Sequence, residues 1–235
     1  MIDRGFQAER RRVETDLTVI VLASLASLLL IMAFNSQIMS VAKDPEVDIL
    51  LRTLLMAVFQ FGIAGLGISI VAAIRKESFV HYGLTARNLP RVVALTALAV
   101  VPYLVYRAAT GTLTGYMPFR QVNMTAELLA SGFPRNVLGM SIVAVAWGFF
   151  EGFNYAVISN KINTRYPSKN VWLNWGAILC GVLCLLIHGM VGVTPDALAE
   201  AAAVFFIIYW MLIAKSLTGN AWGTVLLFIF FWNAI

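Results

Sequence analysis

An all-α bundle of transmembrane helices is the fold class this chain predicts, on three observations. Of its 235 residues, 60% are hydrophobic and only 12% are charged, and its mean hydropathy is +0.82, outside the range of soluble globular domains. Apolar runs of about 17–25 residues, enough to cross roughly 30 Å of hydrocarbon, recur along nearly the whole length. With one exception, the charged residues gather between those runs or near their ends. Together these give about seven spans, with residues 1–16 as a charged N-terminal segment and 17–235 as a single membrane domain. A water-soluble multidomain protein is excluded. The formal net charge of +5 is expected to orient spans and implies no nucleic-acid partner, because Lys and Arg set topology in a membrane protein.

Taken in order, the lead-in interleaves Arg10, Arg11 and Arg12 with Glu9, Glu14 and Asp16, a pattern for a short amphipathic or interfacial segment. The first span, 17–34, has an apolar core of about 18 residues. That exceeds the roughly 7–15 of a signal peptide, so a retained anchor is expected. After an acidic loop (Asp44, Glu46, Asp48) comes the second span, 50–74, where Gly62, Gly65 and Gly67 suit close helix contact. The third, 92–106, carries Pro102, a kink-former because proline removes a donor and clashes with the preceding turn. Residues 107–135 form the longest connection, with a short surface helix expected at 124–131. The fourth span is 136–163, the fifth 171–190, the sixth 197–214 and the seventh 221–235.

The basic residues decide the orientation. One side carries Arg4, Arg10, Arg11, Arg12, Arg75, Lys76, Arg87, Arg91, Lys161, Arg165, Lys169 and Lys215, twelve in all; the other carries five, Lys43, Arg52, Arg107, Arg120 and Arg135. The positive-inside rule then places the N-terminus in the cytoplasm, and the expected location is a prokaryotic cytoplasmic membrane with membrane lipid as the surrounding partner.

One acid departs from this pattern. Glu151 stands in the middle of the fourth span, where a charge costs at least about 2.5 kcal/mol and by default marks function. Asn154, Tyr155 and Ile158 share its helix face at i+3, i+4 and i+7. Gly148 and Gly152 flank it as a small-xxx-small pair that admits another backbone. A buried acid here can activate a water; the plainer account is a protonated Glu acting as interhelical glue. On the fifth span Gly176, Cys180, Cys184 and His188 recur every four residues, a small-residue packing stripe, and the two cysteines are poorly spaced for a disulfide. His188 is the one histidine within a span, and Asn233 ends the seventh. No metal or other cofactor is expected: there is no HExxH, and one His with one Glu falls short of three protein ligands. No phosphate loop, Ser/His/Asp set or dinucleotide fingerprint occurs.

These features resemble the CPBP family, the CAAX proteases and bacteriocin-processing enzymes related to Ras-converting endopeptidase, marked by EExxxR, FxxxH and HxxxN on successive membrane helices. Tyr82-Gly83-Leu84 with Asn88-Leu89 is similar to the family's early Phe-Gly-Leu segment, Glu151 to the first Glu, His188 to the second-motif His and Asn233 to the third-motif Asn. Asn220-Ala221-Trp222-Gly223 resembles the run that opens the last motif helix, and the likeness covers about 80–235. Gly152 stands at the second Glu, Ala156 at the Arg, Cys184 at the Phe and Ile229 at the third-motif His.

The resemblance implies an intramembrane glutamate endopeptidase that needs no metal. In it Glu151 and His188 activate water and Asn233 stabilises the oxyanion, with Asn154 or Tyr155 as substitute donors. The implied substrate is a membrane-bound or lipidated peptide. A lost oxyanion donor commonly costs about 100–1000-fold in rate, so the rival expectation is a catalytically silent membrane scaffold, chaperone or binder. A proton-coupled transport site at Glu151 is a third, with no inverted repeat in its favour.

Overall fold

The computed structural model describes residues 4–190 and 192–234; residues 1–3 of the lead-in and Ile235, the last of the seventh predicted span, lie outside them. Among the described residues there is no strand. The helices are α1 (Arg4–Ala33), α2 (Asn35–Lys43), α3 (Ile49–Ala64), α4 (Leu66–Arg75), α5 (Leu89–Ala97), α6 (Val101–Ala109), α7 (Thr125–Ala130) and α8 (Arg135–Val143). After a first π segment (Ala144–Phe150) come α9 (Glu151–Arg165), α10 (Trp175–Ile187), α11 (Pro195–Thr218), α12 (Trp222–Leu227) and a second π segment (Phe228–Trp232). Short 3-10 turns occupy Phe79–Tyr82 and Leu98–Val100.

Each of the seven predicted apolar runs contains helix among the described residues, but they are unequal. Four are long and apolar enough to cross a membrane: Gln7–Ala33, Leu89–Ala109, Arg135–Arg165 and Pro195–Thr218. The α3–α4 pair, bent by 57°, makes a fifth if counted as one crossing. α10 has 13 residues, about 20 Å at 1.5 Å per residue, short of the hydrocarbon thickness. It begins later than predicted because Asn170 and Asn174 turn back onto the backbone N–H groups of Trp172 and Ala177. The last helical stretch, Trp222–Trp232, is likewise short.

Several local features have plain causes. The lead-in and the first span are one continuous helix, α1, since nothing in residues 4–33 breaks it. The third span is interrupted by the Leu98–Val100 turn just before Pro102, as the missing donor requires. The second span bends at Gly65, where a Cβ would lie 2.3 Å from the Phe61 ring and 2.8 Å from that of Phe150. Its flanking glycines admit α1: a Cβ on Gly67 would lie 2.7 Å from Ile20 Cα, and one on Gly62 2.7 Å from Ser27 Oγ. The expected surface helix at 124–131 exists as α7: Ala126, Glu127, Leu129 and Ala130 are exposed, and the fully buried Thr125 and Leu128 anchor it.

The chain divides into two compact units. Unit 1 comprises Met1–Asp16, Ser78–Gly115 and Tyr155–Thr224; unit 2 comprises Leu17–Glu77, Tyr116–Asn154 and Val225–Ile235. In unit 1, α11 is the central helix, with α10 on one side and α5 and α6 on others; its Ile207, Ile208, Met211, Leu212 and Ile213 are fully buried. Trp210 Nε1 donates to the Leu95 carbonyl at 2.8 Å, tying α11 to α5. In unit 2, α3 packs along α8 and the first π segment, and Leu128 and Val143 are the fully buried members of a cluster with Ile49, Phe119, Val122 and Met124.

Candidate functional site

Glu151 sits in unit 2 at the first residue after a π-helical turn within an otherwise α-helical span. Single π turns widen the helix and re-aim side chains, and they recur at functional sites. Glu151 is half-buried, and its Oε2 accepts a hydrogen bond from Gln60 Nε2 on α3 at 2.9 Å. Gln60 is 91 residues away in sequence, and nothing in the apolar run around it marks it as a partner. One residue beyond each member of this pair, Phe61 and Phe150 meet edge to face with ring centroids 4.7 Å apart.

The second π segment precedes Asn233 as the first precedes Glu151, and the two π segments pack on each other. Their contact is Gly148 against Ile229: a Cβ on Gly148 would lie 2.4 Å from Ile229 Cγ1 and 3.2 Å from its Cα. The small-xxx-small glycine expected to admit another helix does so here. Asn233 is 8% exposed, and its Nδ2 is buried without a hydrogen-bond partner; the Asn154 Oδ1 is in the same state. The backbone around Asn233 is fixed by Gln121 N donating to its carbonyl and Met117 N to that of Ala234, each at 3.2 Å. Unit 2 thus brings together an acid, its amide partner and two buried amide groups with unused hydrogen-bonding capacity.

Tyr155 and His188 belong to unit 1. Tyr155 is buried, and its carbonyl accepts from Cys180 Sγ at 3.9 Å. His188 is exposed at the C-terminus of α10, with Nδ1 2.9 Å from the Cys184 carbonyl. Since a carbonyl only accepts, Nδ1 is the donor in this contact. The four-residue stripe packs α10 on α9 through its first members: a Cβ on Gly176 would lie 2.3 Å from the Ser159 carbonyl oxygen. His188 continues the stripe past the helix end.

Unit 1 also holds charges that the loop assignments missed. Lys161 and Lys215, counted as loop cations, lie on α9 and α11 and are buried. Lys161 Nζ meets Asp16 Oδ2 at 2.7 Å, with side-chain exposures of 7% and 3%, and lies 5.2 Å from the Tyr82 ring centroid. One turn on, Arg165 Nε meets Glu14 Oε1 at 2.5 Å. Lys215 Nζ has Asn160 Oδ1 at 3.5 Å. In unit 2, Arg52, counted among the cations of one side though within the second predicted span, is buried on α3 and bidentate to Glu127, with Nη1 to Oε2 at 3.1 Å. The placement of Asp16 and Lys161 at the polar ends of apolar runs was the available signal, though their pairing across 145 positions was not.

The two stretches on which the early and late resemblance rests interlock within unit 1. Ala221 N donates to the Gly83 carbonyl at 2.8 Å, Asn220 Nδ2 donates to the Thr85 and Arg87 carbonyls at 2.7 and 2.6 Å, and Asn88 Nδ2 donates to the Thr218 carbonyl at 2.9 Å. Gly83 has φ +103°, and a Cβ there would lie 3.0 Å from the Gly219 carbonyl oxygen, so glycine is required on both counts. These residues are structural ties. Among the described residues no group of three or more His, Cys, Asp or Glu is gathered as a metal site. Comparison with protein-family models, with curated proteins and with solved structures finds no match to the chain.

Proposed function

We propose that this membrane protein hydrolyses a membrane-borne peptide at Glu151, as an intramembrane glutamate endopeptidase. The observation that carries the proposal is a half-buried carboxyl held by one neutral amide, in the same unit as the buried, unpartnered Asn233 Nδ2. Glu151 takes a proton from water, and the oxygen attacks the peptide carbonyl carbon. Asn233 Nδ2 donates to the resulting oxyanion. The proton then passes from Glu151 to the leaving nitrogen as the C–N bond breaks. The part in catalysis that the resemblance gives His188 is tested by its own substitution below, and the proposal carries with it seven crossings and a cytoplasmic N-terminus in a prokaryotic membrane, supported by the twelve-to-five distribution of basic residues.

A second proposal has its own observation. Ile229, at the position of the third-motif His, packs directly on Gly148, and Gly152 and Ala156, at the second Glu and the Arg, are buried. An apolar contact fills the place of polar machinery, which favours a silent binder or scaffold.

Terminal-peptide proteomics on membranes containing the wild type or Glu151→Gln at matched levels separates the two. New peptide ends that require Glu151, and that fall with His188→Ala, are expected of the hydrolase and identify its substrate. Identical peptide ends, with every variant folded, would leave the binder.

A further inference from the structure

Unit 2 contains a groove that the chemistry at Glu151 does not use. It runs between α3 and the α8–π stretch, has a volume of about 440 Å³, and is lined almost wholly by apolar atoms. Its floor is made by two small buried side chains, Ala57 and Ala146, at 6% and 3% exposure. Its rim is formed by Leu54, Val58 and Val145, each about half exposed. The Phe61–Phe150 ring pair closes one end. Ser141 is the one hydroxyl in the wall, and it is already committed to the Val137 carbonyl at 2.7 Å.

We propose that this groove holds one acyl chain of a bilayer phospholipid, with the lipid phosphate beside Arg135. Three observations support this occupant. An apolar cavity with no unused polar group does not retain water and takes apolar guests. Its wall residues Ser141 to Phe150 lie 6 to 15 positions beyond the start of α8 at Arg135, roughly 9 to 22 Å at 1.5 Å per residue, a depth at which a bilayer offers only hydrocarbon chains. The two helices that form the groove also begin side by side at Asp48 and Arg135, whose side chains pair at 3.2 Å and are 44% and 58% exposed. That places an accessible cation at the polar end of the chain's path, where an anionic phosphate belongs.

The site stands independently of hydrolysis at Glu151. Its link to that centre is mechanical. The chain fills the space against Phe61 and Phe150, each one residue from Gln60 or Glu151, and so backs the ring pair from the lipid side.

The test uses full-length protein in nanodiscs doped with a phospholipid that carries a diazirine at mid-chain. After illumination the labelled peptides are mapped. Label is expected to concentrate on 54–61 and 141–150 over Leu22 and Leu29 of α1, which are more than half exposed and contact lipid without a groove. Val145→Trp enlarges a side chain already on the rim, and should reduce groove labelling to the α1 level; Val58→Trp is the second variant should the first not fold. Arg135→Gln should lower groove labelling about fivefold for the phospholipid, the effect of one cation near a lipid surface, and leave labelling by a diazirine fatty alcohol unchanged. Even labelling of α1 and the groove, or groove labelling indifferent to both tryptophans, overturns the proposal. An intermolecular disulfide at Val58→Cys with no groove label would assign the face to a second copy of this chain instead.

Discussion

Two buried or half-buried charges, Lys161 of unit 1 and Glu151 of unit 2, are held in opposite ways. In unit 1 Lys161 is matched by an acid, with Asp16 at 2.7 Å and the Tyr82 ring beyond it, and nearby Asn163, Asn174 and Ser216 are linked in a row by hydrogen bonds. In unit 2 the acid of the central span has one neutral partner, Gln60, while the Asn154 and Asn233 amides retain unused atoms. A matched network holds a fold in one arrangement, and an under-matched one keeps polar atoms ready for a guest. The contrast is between a buried cation with an acid partner, Lys161, and an acid with only a neutral one, Glu151.

Substitutions can break or sharpen that contrast, and they rank by size. The largest effect is expected from Asp16→Asn. Neutralising one partner of a buried ion pair takes away the carboxylate charge beside Lys161, a loss of about 3–5 kcal/mol and on the order of 10 °C in melting temperature. Replacing both partners, Asp16→Leu with Lys161→Met, should recover most of it in the same detergent melt. Asn220→Ala removes two donations to carbonyls of residues 85 and 87 and the cap on Trp222 N, for about 2–4 kcal/mol. Gly148→Val forces the two π segments apart at Ile229 and should cost about 1–3 kcal/mol, accompanied by loss of whatever peptide cleavage Glu151 supports. The smallest shift belongs to the functional acid itself. Glu151→Gln can keep an amide–amide bond to Gln60, so its melting point should fall by less than about 1 kcal/mol in equivalent stability, while its cleavage products vanish. A melt as damaged as that of Asp16→Asn would make Glu151 a structural group and erase the contrast.

What could be seen in the chain beforehand follows the range of the interactions involved. Apolar runs, the break before Pro102 and the glycines that admit α1 are set by neighbours within a turn or two, and they appear where the residues place them. Glu151 was visible because a lone acid in an apolar run needs no context to stand out. Gln60 was not, since a half-polar residue on an apolar helix acquires meaning only when α3 packs on the Glu151 span. Lys161 and Lys215 were misplaced in loops, and the burial of Arg52 near a span end was missed, for a related reason: long basic side chains at span ends look solvated until an acid or amide from a distant segment covers them. The π turns before Glu151 and Asn233 carry no composition signal, and the contact of Gly148 with Ile229 joins residues 81 positions apart.

The tie between Gly83 and Ala221 also has a consequence in time. The carbonyls of Thr85 and Arg87 find their partner at Asn220, and that of Gly83, which also accepts from Thr85 N, gains a second donor at Ala221, some 130 residues later in synthesis. At roughly 5–20 residues per second, a ribosome needs about 7–26 s to reach them. Throughout that interval the Thr85 and Arg87 carbonyls need water or another donor, so this tie in unit 1 closes only after residues 220 and 221 are made.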